Sequence, residues 1–376
     1  MLRSEEHWMI ASARISASSG VTPLRTARSS ASASDLFEYK FYPVFCICFG
    51  YGFAVQTRRW AASGANVDAR FTRRMNFMFL MGVLHGVLLW FGDILARYAI
   101  AGYLLRRHLS KGPRALLKAI KFWLIAAVVS GVAFAWVAGA AAGGGADAGQ
   151  QRESAQIDGE RTFETYTESG YVDATIQRAR DFLAVTALYV FALPQLMPFF
   201  LLGALAAQLQ WLRYPSRYRP FWQRVFWLAL LIGLPVNIAF AVTQVSVAAN
   251  PWIPASMPEA LLATFAPLLA LAYVAAFALL RASVPGKALI RLFAPAGRVA
   301  LTLYIGQSVA MTLLLNGFGL GLGATFGQLE LFLTAVLIFG CMLVLAHLMQ
   351  RFAIPAPLEL LWRRYTNAPA SHDKHT

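Results

Sequence analysis

Arg73-Arg74-Met75-Asn76-Phe77-Met78-Phe79-Leu80-Met81-Gly82-Val83-Leu84-His85-Gly86-Val87-Leu88-Leu89-Trp90-Phe91-Gly92-Asp93-Ile94-Leu95-Ala96-Arg97-Tyr98-Ala99-Ile100-Ala101-Gly102-Tyr103-Leu104-Leu105-Arg106-Arg107 is the stretch whose reading decides the fold. It is an apolar run closed at each end by an arginine pair, with His85, Asp93 and Arg97 inside it. Ionisable groups are expensive in lipid, so they face a protein interior or a wet cavity. Residues 75–105 number 31, and one helix of that length would reach roughly 46 Å at about 1.5 Å per residue. That is too long for one pass and short for two, since a hydrocarbon core of about 30 Å asks for roughly 20 residues per pass. Gly92-Asp93 is a turn dipeptide, which predicts a short helical hairpin with Asp93 at its tip. Either the bilayer thins there or the tip stays sunk below the outer surface.

The rest of the chain has the same character. Of its 376 residues, 58% are hydrophobic and only 14% charged, and the mean hydropathy is +0.54. This excludes an ordinary soluble domain and predicts an all-α fold, a polytopic transmembrane bundle of about nine helices. The net charge of +15 would point to nucleic acid in a soluble chain. Here the bases sit in short segments between apolar runs, as in cytoplasmic loops, so the expected partner is the bilayer and not nucleic acid. Cys46, Cys48 and Cys341 lie in apolar runs without metal spacing and read as packed thiols. No metal or cofactor is expected, because no Walker A loop, HExxH, CxxC pair or GxSxG occurs.

Working outward, residues 1–34 are rich in Ser, Ala and Arg and read as a disordered basic tail. The apolar runs lie at about 36–55, the hairpin (two runs), 122–142, 182–209, 225–245, 260–280, 299–315 and 331–349. The segment before the hairpin holds Arg58, Arg59, Arg70, Arg73 and Arg74 against Asp68, a balance of +4. The segment after it holds Arg106, Arg107, Lys111, Arg114, Lys118 and Lys121, a balance of +6. Residues 143–181 are the long acidic segment, with eight acids against four bases, and read as an extracytoplasmic loop whose end, 172–181, is a surface helix. Later segments alternate between basic and near-neutral, which predicts a cytoplasmic C-terminus after the short amphipathic piece 358–365 and a polar tail at 367–376. The single membrane domain is then 35–366. Nine spans put the N-terminus outside, against the pull of Arg3, Arg14, Arg25 and Arg28. A further helix ahead of residue 35 removes the conflict, so 1–34 is read as not native to the fold.

His85, beside Gly82 and Gly86, is either a core histidine bonded to a neighbouring helix or a general base near neutral pH. Asp93 suits the N-cap of the helix after the tip, and Arg97, four residues on, can pair with it. The run at 299–315 carries Tyr304, Ser308, Thr312 and Asn316 at intervals of four, a polar stripe along one face with Thr302 and Gln307 nearby. It serves interhelical hydrogen bonding or a substrate path. Glu359 and Arg363, four apart beside Trp362, read as an ion pair on an interfacial helix.

Three of these stretches resemble one family. Leu84-His85-Gly86-Val87-Leu88-Leu89-Trp90-Phe91-Gly92-Asp93-Ile94-Leu95 is similar to the His…Trp-x-Gly-Asp-Ile-Leu signature of the YeiB-like membrane proteins, also named domain of unknown function 418. Gly297-Arg298-Val299-Ala300-Leu301-Thr302-Leu303-Tyr304-Ile305-Gly306-Gln307-Ser308 resembles its Gly-Arg-x-x-Leu-Thr-x-Tyr-x-x-Gln-Ser segment, and Pro357-Leu358-Glu359-Leu360-Leu361-Trp362-Arg363 its Pro-Leu-Glu-x-x-Trp-Arg piece. The resemblance covers about 35–366 and implies a bacterial inner-membrane protein. The family opens with a helix bearing Asp-x-x-Arg-Gly, and the segment from Asp35 here resembles the family's second helix. Its layout is similar to that of polytopic membrane acyltransferases, and members are also labelled transporters. In the acyltransferase-like relatives the catalytic histidine lies near the first helices, whereas this chain has none between His7 and His85. The candidates are therefore His85 and Asp93 as catalytic groups, with Arg97, Arg298, Tyr304, Gln307 and Ser308 binding a small polar or acyl substrate. The preferred reading is an acyltransferase-like enzyme acting on a polar acceptor at the membrane. The alternatives are a transporter of a small polar or anionic solute and a structural membrane protein.

Overall fold

Two helix backbones touch at glycines near the centre of the molecule. A side chain at Gly50 would fall on the carbonyl of Phe200, and one at Gly203 on the carbonyl of Ile47. Small residues at a crossing let helices approach closely, which is the packing mode of helices in lipid. The computed structural model describes the backbone of residues 23–141, 148–249 and 257–367, with side chains over 41–133, 157–239, 268–327 and 329–367.

Twelve α-helices and no strand occur among the described residues, an all-α bundle as expected. They are α1 Pro23–Ala62, α2 Val67–Leu88, α3 Leu95–Leu109, α4 Pro113–Ala141, α5 Ala148–Glu168, α6 Tyr171–Gln208, α7 Arg219–Ala249, α8 Met257–Ala282, α9 Val284–Arg298, α10 Ala300–Leu315, α11 Gln328–Arg351 and α12 Pro357–Asn367. Gly50 lies on α1 and Gly203 on α6. Around their crossing the Tyr98 ring of α3 meets Phe49 edge-on at 5.0 Å and Phe200 at 5.1 Å. Each such pair adds about 0.5–1.5 kcal/mol beyond its buried area.

Every expected apolar run falls within a helix, but only four helices among the described residues are long and apolar enough to cross a membrane. The crossing segments are Pro113–Ala133, Tyr171–Gln208, Arg219–Ala239 and Leu329–Arg351, and a fifth crossing exists if α8 and α9, bent by 107° at their junction, count as one. The hairpin helices and α10 do not qualify. α3 has 15 residues and α10 has 16, so they reach only about 22–24 Å, and α2 carries Asp68, Arg70, Arg73 and Arg74 in its first half. Phe122, Ile125 and Val128 on α4 and Phe332, Leu333 and Leu337 on α11 are exposed. Apolar faces this wide suit a lipid surround rather than water.

Two segments read as loops are helical. Residues 148–168 of the acidic segment form α5, and the basic segment after span seven forms α9; 172–181, read as a surface helix, is helical in the first turns of α6. α9 is capped by Ser283, whose Oγ accepts from Gly286 N at 3.1 Å. α1 begins at Pro23, so the later part of the supposed tail 1–34 is helical; the earlier part, and nearly all of 367–376, lie outside the described residues.

The hairpin forms as read, with its turn at 89–94. At its basic end Arg106 Nε donates to Asp68 Oδ1 at 2.9 Å and Nη1 to Thr72 Oγ1 at 3.0 Å. Both ion-pair partners are exposed, so the pair sets register more than it stabilises.

Candidate functional site

The hairpin turn leaves carbonyls at the end of α2 without intrahelical partners. Leu88 O accepts from Arg178 Nη1 at 2.7 Å and from Tyr171 OH at 3.2 Å. Leu89 O accepts from Arg178 Nη1 at 3.2 Å and Thr312 Oγ1 at 3.3 Å. Arg178 is 1% exposed, and its cation sits where the α2 dipole is negative. Its guanidinium lies over the rings of Tyr171 and Phe318. The tip is covered by α5, where Tyr166 stacks on Phe91 and its backbone oxygen accepts from Gly317 N at 3.0 Å. These contacts fix the turn that carries Asp93.

Ile94 is the N-cap of α3, and Asp93, expected there, stands one residue ahead of it and still supplies a capping acceptor, since its Oδ2 accepts from Ala96 N at 2.7 Å. Its Oδ1 lies 2.9 Å from His85 Nδ1. A carboxylate only accepts, so Nδ1 carries the proton and Nε2 is left as the acceptor. Ser308 Oγ lies 2.9 Å from that Nε2. The serine hydroxyl has one proton, shared between Nε2 and the Tyr304 carbonyl at 3.2 Å. Ser308, His85 and Asp93 thus form a serine–histidine–carboxylate line, a constellation recognised by geometry rather than by sequence order. His85 and Asp93 are 2% and 0% exposed, so the line lies in the interior.

Tyr304 closes the arrangement. Its hydroxyl is 3.3 Å from Asp93 Oδ1, the longest of the carboxylate's three contacts and the one freest to turn to another acceptor. The stripe on α10 therefore has its hydrogen-bonding role: Tyr304, Ser308 and Thr312 on three successive turns reach Asp93, His85 and Leu89. Gly82 makes room for the carboxylate. A methyl there would land on Ala96 N and 2.6 Å from Asp93 Oδ2.

Two expected pairings are corrected. Arg97 does not pair with the Asp93 carboxylate; its Nε donates to the Asp93 backbone oxygen at 2.7 Å. The carboxylate already has three donors, and one helical turn brings Arg97 to the main chain instead. Its Nη2 is buried without a partner. Glu359 does not pair with Arg363. Its Oε1 accepts from Leu301 N at 2.7 Å and Thr302 N at 3.1 Å, and its Oε2 bonds Thr302 Oγ1. α12 thereby caps the N-terminus of α10, where unsatisfied amides and the helix dipole favour an anion. Arg298 and Gln307 are exposed and stand apart from the cluster. Gln307 is one residue, about 100° of helix, off the stripe, and Arg298 ends α9 before the chain turns at Val299.

Beside the cluster is an apolar cleft of about 190 Å³, lined by Phe45, Phe77, Met81, Leu301, Trp362 and Tyr304 among others. Tyr304 belongs to both. Among the described residues no group of three or more His, Cys, Asp or Glu side chains could hold a metal ion. Sequence reasoning missed Arg178, Glu359 as a cap, and Arg74, whose Nε is buried and unpartnered.

Such a site marks the chain as a helical protein of membrane character, in which a part-buried serine on α10 meets a buried histidine–aspartate pair of the hairpin. The family described as "Protein of unknown function (DUF418)" matches residues 206–369. The "Uncharacterized protein YxaH" of Bacillus subtilis is 26% identical over 349 residues, 89% of this chain and 82% of that protein. The "Uncharacterized protein YeiB" of Escherichia coli is 26% identical over 356 residues, 92% of this chain and 86% of that protein. The likeness to YeiB-like proteins read from three short stretches therefore extends over most of the chain. No solved structure matches it. The three stretches are also one unit in space, joined by His85–Ser308 and by Glu359–Leu301.

Proposed function

We propose that this chain is an integral-membrane acyltransferase acting on a polar acceptor, with its C-terminus in the cytoplasm of a bacterial inner membrane. The observation that carries the reading is Ser308 Oγ at 2.9 Å from His85 Nε2, with Nδ1 held by Asp93. An imidazole held by a carboxylate in one tautomer is a general base. Ser308 Oγ attacks the acyl carbonyl as its proton passes to Nε2, and the leaving group takes that proton as its bond to the acyl carbon breaks. The acceptor hydroxyl or amine then repeats the cycle and releases Ser308. Tyr304 OH, at the end of the apolar cleft, donates to the carbonyl oxygen as charge develops there.

A transporter of a small anion has its own support in Arg97, buried with Nη2 unpartnered. The deciding experiment incubates purified protein with radiolabelled acyl-CoA and a membrane extract of acceptors. Transfer lost in His85→Ala but kept in an exposed control, Gln307→Ala, supports the enzyme. Absence of transfer together with labelled-solute uptake into proteoliposomes supports the transporter.

A further inference from the structure

At the basic end of α2, opposite the hairpin tip, lies a second cavity of about 250 Å³ lined by Gln56, Arg74, Glu359, Trp362, Arg363 and Thr366 among others. Three of its buried polar atoms lack a partner: Arg74 Nε, Trp362 Nε1 and Thr366 Oγ1. Thr366 is only 3% exposed. All three can donate a hydrogen bond, so what they lack is an acceptor. A buried donor without an acceptor is costly, and the cavity holds three. The Arg74 guanidinium lies 4.1 Å from the Trp362 ring centroid and has no acidic partner among the described residues. Glu359, the acid in the lining, spends its carboxylate on the amides of Leu301 and Thr302 and on the Thr302 hydroxyl. Arg74 and Arg363 therefore leave the cavity cationic. Planar guanidinium groups match phosphate oxygens.

Trp362 also lines the apolar cleft, together with Tyr304, so the cationic cavity and the cleft share a wall. From Arg74 to His85 is eleven residues along α2, roughly 16 Å. We infer that the two cavities together hold one phosphate-bearing amphiphile, its head on Arg74, Arg363, Trp362 and Thr366 and its chain in the cleft. The inference names the donor for the acyl-transfer reading above and rests on it only for the step that follows binding. Two sources share this chemistry: a soluble acyl thioester of coenzyme A and an anionic phospholipid of the bilayer.

The test measures binding to purified full-length protein in nanodiscs. The probes are S-hexadecyl-CoA, whose thioether cannot transfer its chain, coenzyme A as the head alone, and nitroxide-labelled phosphatidylglycerol. The expected result is chain-dependent binding of the thioether or of phosphatidylglycerol. Arg74→Gln should weaken it about tenfold, the worth of one charge-assisted hydrogen bond, and Arg74→Lys should weaken it less. Met81→Trp, which fills the cleft, should reduce thioether affinity to that of coenzyme A. Preference for the thioether or for phosphatidylglycerol identifies the source. Ser308→Ala should bind like the parent protein. Absence of transfer by the parent protein, with binding intact, would overturn the acyltransferase and leave this inference standing. Unchanged affinities in Arg74→Gln and Met81→Trp, or no binding of either chain-bearing probe, would overturn it. Should Arg74→Gln fail to purify as a monodisperse protein, Arg363→Gln and Thr366→Val carry the same expectation.

Discussion

Removing the Glu359 carboxylate tests whether α12 holds α10, and with it Tyr304 and Ser308. Glu359 accepts two backbone amides, Leu301 N at 2.7 Å and Thr302 N at 3.1 Å, and bonds the Thr302 hydroxyl. Hydrogen bonds to a charged group are worth about 1.5–3 kcal/mol each when well shielded. Loss of a helix N-cap costs about 0.5–2 kcal/mol. Glu359 is half-buried, so Glu359→Ala should cost about 2–4 kcal/mol, less than the sum of isolated bonds. Glu359→Gln keeps one acceptor for the amides and should cost about 1 kcal/mol. Arg363→Ala should stay within about 0.5 kcal/mol, as for a surface change. Thermal unfolding in detergent, followed by tryptophan fluorescence, ranks the three. If Arg363→Ala costs as much as Glu359→Ala, and the double mutant no more than either, the ion pair read from the sequence would hold and the cap would not.

Gly82→Ala puts a methyl on Ala96 N and against Asp93 Oδ2. It should destabilise by about 1–3 kcal/mol as an overpacked site and abolish transfer, measured on protein that still runs as one species. Arg178→Gln leaves the carbonyls of Leu88 and Leu89 without a cation. The loss should be about 2–4 kcal/mol, with Arg178→Lys recovering part of it in the same unfolding assay. Asp93→Asn cannot accept from both His85 Nδ1 and Ala96 N with a carboxylate's symmetry. Transfer should fall at least about a hundredfold, while amphiphile binding is kept. Equal transfer in Asp93→Asn would remove the aspartate from the mechanism.

The hairpin, its tip at Asp93, the cap on α3 and the polar stripe of α10 were legible because each rests on local spacing. Gly92-Asp93 marks a turn wherever it occurs, and Tyr304, Ser308 and Thr312 share a face by helix geometry alone. That the stripe bearing Ser308 shares one site with His85 and Asp93 was expected, because polar groups in apolar helices need partners, but the pairing of Ser308 with Nε2 was not legible, since the two are 223 residues apart. Glu359 misled for the opposite reason. An i,i+4 pair with Arg363 is a sound local inference, but the bare N-terminus of α10 offers the carboxylate more. The acidic segment read as a loop because its apolar content is low, yet α5 forms and Tyr166 ties it to Phe91 and Gly317. Fewer helices than apolar runs are long enough to cross among the described residues, since α3 and α10, with 15 and 16 residues, fall short of about 30 Å of lipid.

In the proposed acyl transfer His85, oriented by Asp93, activates Ser308. The most direct measurement of that step is intact-protein and peptide mass spectrometry after brief incubation of the purified protein with acyl-CoA and no acceptor. One acyl group is expected on the peptide bearing Ser308, absent in Ser308→Ala and His85→Ala and discharged when acceptor is added. Acyl transfer to acceptor at the parent rate in Ser308→Ala, with the parent protein never labelled on that peptide, would contradict it.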